Sequence, residues 1–146
     1  MKVLQKIRFQ VHSDLNNLNT VLLQFDRLYR DFIPQSDWLQ CKLALAEGFT
    51  NAVRHAHKNL PPEVPIIIEA LLTETTIEIY IWDRGAPFDL HQYIAQATEK
   101  NHNLFLGGRG IPILIKIADR LDYYRTAAEQ NCLLIVKELS RSAQTE

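Results

Sequence analysis

Between Thr76 and Trp82 the residues alternate without a break: Ile77, Ile79 and Ile81 fall on one side, Glu78, Tyr80 and Trp82 on the other. Successive strand side chains point to opposite faces, so this pattern predicts a strand over residues 75–82 with one face buried. Asp83-Arg84-Gly85-Ala86-Pro87 ends it. The rest of the chain has to cover that isoleucine face. A partner strand is expected over 64–72, reached through the break Asn59-Leu60-Pro61-Pro62 and joined to 75–82 by a short polar turn at Thr73-Glu74. Ile7, Phe9 and Val11 alternate with Lys6, Arg8 and Gln10, which predicts a first strand.

Helical spacing fills the gap between these strands. Ser13 or Asp14 is placed to cap a helix carrying Leu15, Leu18, Leu22, Phe25 and Leu28, and Pro34 breaks it. Ser36 or Asp37 is expected to cap a second helix over 38–57. A third helix is predicted over 111–121, with Pro112 in its first turn, where a missing N–H costs little. Two closing strands, 121–126 and 132–139, flank a turn at 127–130, and a short helix is expected near 91–98. The order strand, helix, helix, strand, strand, helix, strand, strand implies a two-layer α/β (α+β) sandwich: one mixed sheet covered by helices on one face. The 146 residues, 47% of them apolar, fit a single domain over 1–146.

The composition narrows the function classes. A net charge of -1 offers no basic surface for direct nucleic-acid contact. No stretch is apolar and long enough to span a bilayer, and the polar interruptions in MKVLQKIRF do not read as a signal peptide. Cys41 and Cys132 lack metal or redox spacing, which suits a reducing cytoplasm.

All five glycines fall at three places: Gly48, Gly85, and Gly107, Gly108 and Gly110. Each place either brings backbone close to a ligand or simply serves a turn or a helix start. Glu47, Asn51 and His55 follow one another at i, i+4 and form one polar row on the second helix, with Ala44 and Gly48 flanking it and leaving it open. Leu39, Leu43, Ala46, Thr50 and Val53 form another stripe, expected to face the sheet. Asn51 can offer Mg²⁺ a neutral oxygen and Glu47 can take a proton from an attacking hydroxyl, though a solvated helix face looks the same. Asp83 can accept from an exocyclic amino group such as adenine's. Gly107-Gly108-Arg109-Gly110 before a helix suits a phosphate tail, with backbone N–H groups and the helix's positive end facing an anion. It is neither a Walker A loop nor a dinucleotide fingerprint. His55 and His57 point in different directions, which favours surface and core roles over a joint metal site. Trp38 and Trp82 read as core or interface residues.

Taken in order, these segments resemble the GHKL (Bergerat-type) ATPases, a family that includes histidine kinases, gyrase-type enzymes and anti-sigma kinases. Residues 47–55 (EGFTNAVRH) look like the N box, 83–88 (DRGAPF) like the first glycine box and 107–111 (GGRGI) like the second. Small size and the wording of the last box most resemble the serine/threonine kinases that act as anti-sigma factors. The resemblance implies a Bergerat-type fold and ATP with Mg²⁺ as ligands. Asn51 would coordinate the metal, with His55 among the nucleotide-lining residues, and Glu47 would be the general base. Asp83 would bind the adenine amino group beside Gly85. Gly107, Gly108, Arg109 and Gly110 would line the phosphates under a lid at 89–106. The implied partners are a STAS-domain anti-anti-sigma protein carrying the target Ser or Thr, a second copy of the chain, and in many members a sigma factor.

Two positions depart from the family pattern. Asn131-Cys132 stands where the last strand usually has a Gly-Thr or similar hydroxyl pair, and Leu106 stands where some kinases have a basic residue. A thiol is a poor substitute donor. Both departures speak for the runner-up reading, a non-enzymatic switch that ATP only stabilises. A detached histidine-kinase domain ranks third, and a gyrase-like DNA enzyme ranks last for want of a basic face.

Overall fold

A computed structural model of the protein describes residues 2–87 and 110–140. Five strands, β1 (Val3–His12), β2 (Pro65–Thr73), β3 (Thr76–Asp83), β4 (Arg120–Arg125) and β5 (Asn131–Glu138), form one sheet in the order β1-β2-β3-β5-β4. Three helices cover one face: α1 (Leu18–Phe25), α2 (Gln35–Asn51) and α3 (Gly110–Ile117). The two-layer sandwich is as expected. The sheet is not mixed, however, because all four junctions are antiparallel. Two helices between β1 and β2 bring the chain back reversed. On the other side β4 runs parallel to β3, but β5 is inserted between them and pairs antiparallel with both.

Asp14 opens the first helical segment, its Oδ1 accepting from Asn16 N at 2.9 Å. Tight turns of 3₁₀ geometry flank α1 at Leu15–Asn17 and Asp26–Leu28. The second helix starts earlier than predicted. Pro34 occupies its cap position, and Asp37 lies inside the first turn, where it does not cap. The Asp37 carboxylate instead accepts from Ser140 N (2.7 Å) and Ser140 Oγ (3.1 Å), tying the described C-terminal end to this helix. Phe25 stacks on Trp38 at 4.7 Å, and Tyr29 meets the same indole edge-on, so Trp38 is core.

The face that α2 buries differs from the predicted stripe. Leu39 and Leu43 are 56% and 44% exposed, while Cys41, Ala44, Leu45, Gly48, Phe49 and Ala52 are buried. That set follows i, i+3, i+4, i+7, i+8, i+11, one face of a helix. Gly48 does not open a ligand site. A Cβ there would lie 2.5 Å from Ile81 Cδ1 and 3.3 Å from Leu133 Cδ2, so the glycine lets α2 lie close on β3 and β5. Ile111, Leu114 and Ile117 bury α3 alongside α2, and α3 stops four residues short of its predicted end because β4 already begins at Arg120. With no glycine in the β4–β5 turn, Glu129 takes the left-handed conformation itself, at φ 58°. The predicted short helix near 91–98 lies outside the described residues.

Candidate functional site

The last turn of α2 is not an ordinary one. After Asn51 the helix widens over Ala52–Ala56 into a π turn, closed by His57 N–H donating to Ala52 O at 2.9 Å. Such widenings are rare and are often found at functional sites. This one turns His55 to solvent while Glu47 and Asn51 stay half-buried one turn apart. It also turns His57 inward, so the two histidines part as expected. His57 Nε2 accepts from Arg84 N at 2.8 Å, which puts the ring proton on Nδ1, a buried atom with no partner among the described residues. Burial holds the His57 pKa below its ordinary value; the Asp83 carboxylate pulls it back up and Arg84 pushes it down.

A second bolt joins the same two segments. A Cβ on Gly85 would run into the backbone carbonyl of Ala56, with Ala56 Cα only 2.8 Å away. The room left by the missing side chain is therefore filled by the π turn. Close approach of two backbones is what requires glycine at this position. The end of α2, which carries Asn51, and the end of β3, which carries Asp83, are thus held together by Gly85 and His57.

Asp83 is 4% exposed and almost fully hydrogen-bonded by the protein. Its Oδ1 accepts from Gly85 N (2.9 Å) and Asn131 Nδ2 (2.8 Å), and its Oδ2 accepts from the Tyr123 hydroxyl (3.3 Å). Asn131, 0% exposed, donates its second N–H to Gly85 O at 2.9 Å and accepts from Arg125 Nη1 at 3.1 Å. Arg125 also reaches Gly85 O at 3.3 Å. Register explains the cluster: Asp83, Asn131 and Arg125 sit opposite one another across β3, β5 and β4. Burial and the neighbouring Asp83 carboxylate push the Tyr123 pKa above the usual phenol range, which keeps the hydroxyl a donor. A buried carboxylate can only accept, so the chemistry offered here is that of a host for N–H groups.

Asn131, Tyr123 and His57 were not read as site residues from the sequence, although Asn131 lay in one of the two departures. The other half of that pair is elsewhere. Cys132 pairs with Trp82 and Tyr124 and so points to the opposite face of the sheet from Asn131. Its thiol is buried there and pushed up to about 11 by desolvation. Cys41, in the core, rises to about 12 for the same reason, and both thiols are free. Cys132 therefore lies on the opposite face of the sheet from Asp83. Gly110 begins α3, whereas Gly107, Gly108, Arg109, Leu106 and the lid at 89–106 lie outside the described residues. Among the described residues no helix is long and apolar enough to cross a membrane.

Comparison with known proteins agrees with this geometry. Residues 11–137 match the family model described as a histidine kinase-like ATPase domain. The chain is 31% identical over 88 residues to the serine-protein kinase RsbW of Listeria monocytogenes serotype 4a (strain HCC23), a match covering 57% of this chain and 55% of that protein. It is 34% identical over 89 residues to the serine-protein kinase RsbW of Staphylococcus aureus (strain MSSA476), covering 58% and 56%. The chain thus spans about half the length of the curated relatives it matches. With the family model covering the helices and strands that carry Asn51, Asp83 and Asn131, the chain belongs to the histidine kinase-like ATPase family.

Proposed function

We propose that this domain binds Mg-ATP and transfers its γ-phosphoryl group to a Ser or Thr hydroxyl on a STAS-type anti-anti-sigma protein, as an anti-sigma-type regulator in a partner-switching pathway. The observation that carries the reading is the Asp83 carboxylate, buried and fixed at the end of β3 with only donors around it. It fits the 6-amino group of adenine. Asn51, half-buried one helical turn beyond Glu47, suits a magnesium ion that takes its other ligands from phosphate and water. In this reading the phosphates fall to the segment Gly107, Gly108, Arg109 and Gly110, whose sequence suits an anion ahead of a helix.

The transfer needs little from the protein beyond position and charge. Glu47 takes the proton of the attacking hydroxyl as the new O–P bond forms. The bond from the γ-phosphorus to the β,γ-bridging oxygen breaks, and ADP leaves with the electron pair. The RsbW proteins of Listeria and Staphylococcus are named serine-protein kinases, which supports serine as the acceptor. A homodimer and a bound sigma factor belong to the same reading, and light scattering that finds only monomer at high concentration would remove the dimer.

Calorimetric titration with Mg-ATP tests the binding step. Asp83→Asn turns one acceptor oxygen into a donor and should weaken binding about ten- to a hundredfold, the loss of a hydrogen bond to a charged group being roughly 1.5–3 kcal/mol. Glu47→Ala should bind ATP as the wild type does and lose transfer to a STAS substrate. If it loses binding equally, Glu47 is not the base. Tight ATP binding by the wild type without any transfer would make the chain a nucleotide-stabilised switch. An acid-labile phosphoprotein would mark histidine, not serine, as the acceptor.

A further inference from the structure

A nucleotide that meets Asp83 with its base and Asn51 through a magnesium ion touches the ends of two different elements, β3 and α2. Both contacts form together only if the two ends keep one separation. We infer that His57 is a positioning residue of the nucleotide site, which holds the end of α2 at the distance from β3 at which one Mg-ATP satisfies both. The inference rests on the Mg-ATP reading above and extends it to a residue assigned to neither base nor metal.

Two contacts fix that distance from opposite sides. The Ala56 carbonyl against Gly85 sets its lower limit, because backbone packed on backbone cannot come closer. His57 sets the upper limit: its Nε2 accepts from Arg84 N at 2.8 Å, and Arg84 is the first residue past the β3 ladder. The ring reaches that N–H because of the π turn. In an α-helix His57 N–H would bond to Val53, but here it donates to Ala52 O at 2.9 Å, and the extra residue in the turn brings His57 inside, 2% exposed.

The choice of residue points the same way. A carboxylate would accept from Arg84 equally well, but it would bury a second negative charge beside Asp83. A neutral imidazole accepts without charge and leaves Nδ1–H as a buried donor with no partner among the described residues. Such a donor weighs against stability, so the ring is better explained by where it holds Arg84 than by what it adds to the core. The charged groups acting on it are Asp83, which favours a proton on the ring, and Arg84, which together with burial opposes one. A proton on Nε2 would remove the lone pair that takes Arg84 N–H. The positioning therefore holds above the ordinary pKa of 6.5 and is lost as the pH falls through the lower folded value.

The test is calorimetric: ATP is titrated into the full chain with Mg²⁺ and again with EDTA, and the ratio of the two affinities is the gain from magnesium. His57→Leu, which fills the ring's place without an acceptor, should lower that gain about tenfold or more while the affinity in EDTA stays within about twofold. His57→Gln, whose amide oxygen reaches Arg84 N–H, should restore most of it. Lowering the pH from about 7.5 to about 5 should shrink the gain in the wild type and not in His57→Gln. The nucleotide's own titration cancels in that comparison, which stands even if His57→Leu does not fold. Equal losses with and without magnesium, or parallel pH profiles, would make His57 a structural residue only and overturn the inference while leaving the ATP site standing. A wild type without any gain from magnesium, or without ATP binding, would overturn the Mg-ATP reading itself.

Discussion

The two faces of the sheet solve opposite problems at adjacent residues. On β5, Asn131 points under the helices and Cys132 points away from them, and the rows they belong to diverge accordingly. Asp83, Asn131 and Arg125 form a polar row at the end of an otherwise apolar face lined by Ile77, Ile79, Ile81, Leu133 and Ile135. On the open face, Trp82, Cys132 and Tyr124 form an apolar row, with Trp82 edge-on to Tyr124 at 6.2 Å. Charges on that face include Lys6 and Arg8, both largely exposed, which pair with Glu69 at 3.0 and 3.8 Å. The polar row under the helices is thus buried with its members bonded to one another, while exposed pairs on the other face are worth about 1 kcal/mol or less.

Substitutions can break or sharpen this contrast. The largest effect belongs to Gly85→Ala. Its Cβ meets backbone that cannot rotate away, so we expect a loss of about 3 kcal/mol or more of stability, together with nucleotide binding, in thermal and denaturant unfolding. Gly48→Ala is the internal control: its nearest neighbour is the tip of Ile81, which can move, and alanine favours the helix by about 1 kcal/mol, so the change should be near neutral. On the open face, Cys132→Ala should cost about 1 kcal/mol and leave ATP affinity unchanged. An ATP affinity that fell with it would place the thiol at the site and undo the division between the faces.

The smallest effect is a pH dependence. The folded-state pKa of His57 is depressed, so the neutral ring is the stabilising form. Its contribution is complete above the ordinary value of 6.5 and is lost as the pH falls from there through the lower folded value. Protonation would also take away the Nε2 lone pair that holds Arg84 N–H. His57→Gln keeps an acceptor without a titration. Melting curves between pH 7.5 and about 5 should therefore fall more steeply for the wild type than for the variant, and parallel curves would remove His57 from the account.

How much of this was legible in the sequence depended on how strictly each segment alternates. β3, with isoleucine at every second position, was placed within a residue and its buried side named correctly. β5 reads Cys132-Leu133-Leu134-Ile135-Val136, apolar on both sides, so nothing in the run says which parity faces the helices. The mistaken weight on Cys132 came from that. In α2 the true inner stripe was hidden because its members are small, Ala44, Gly48 and Ala52 among them, while the larger Leu39 and Leu43 lie outside. Small residues mark close approach of backbones, which a hydrophobicity pattern cannot register. The π turn left no signature in composition, and with it His57 and the reason for Gly85 stayed out of reach.

The insertion of β5 between β3 and β4 has a consequence for the order in which a growing chain can become competent. β1, β2 and β3 are neighbours in the sheet and are all synthesised by Asp83, so they can pair while the rest is still being made. The carboxylate of that residue then waits some 48 positions for Asn131. A ribosome-bound chain stalled anywhere in between holds Asp83 without its Asn131 donor, and the buried polar cluster closes only when the last strand slides between β3 and β4.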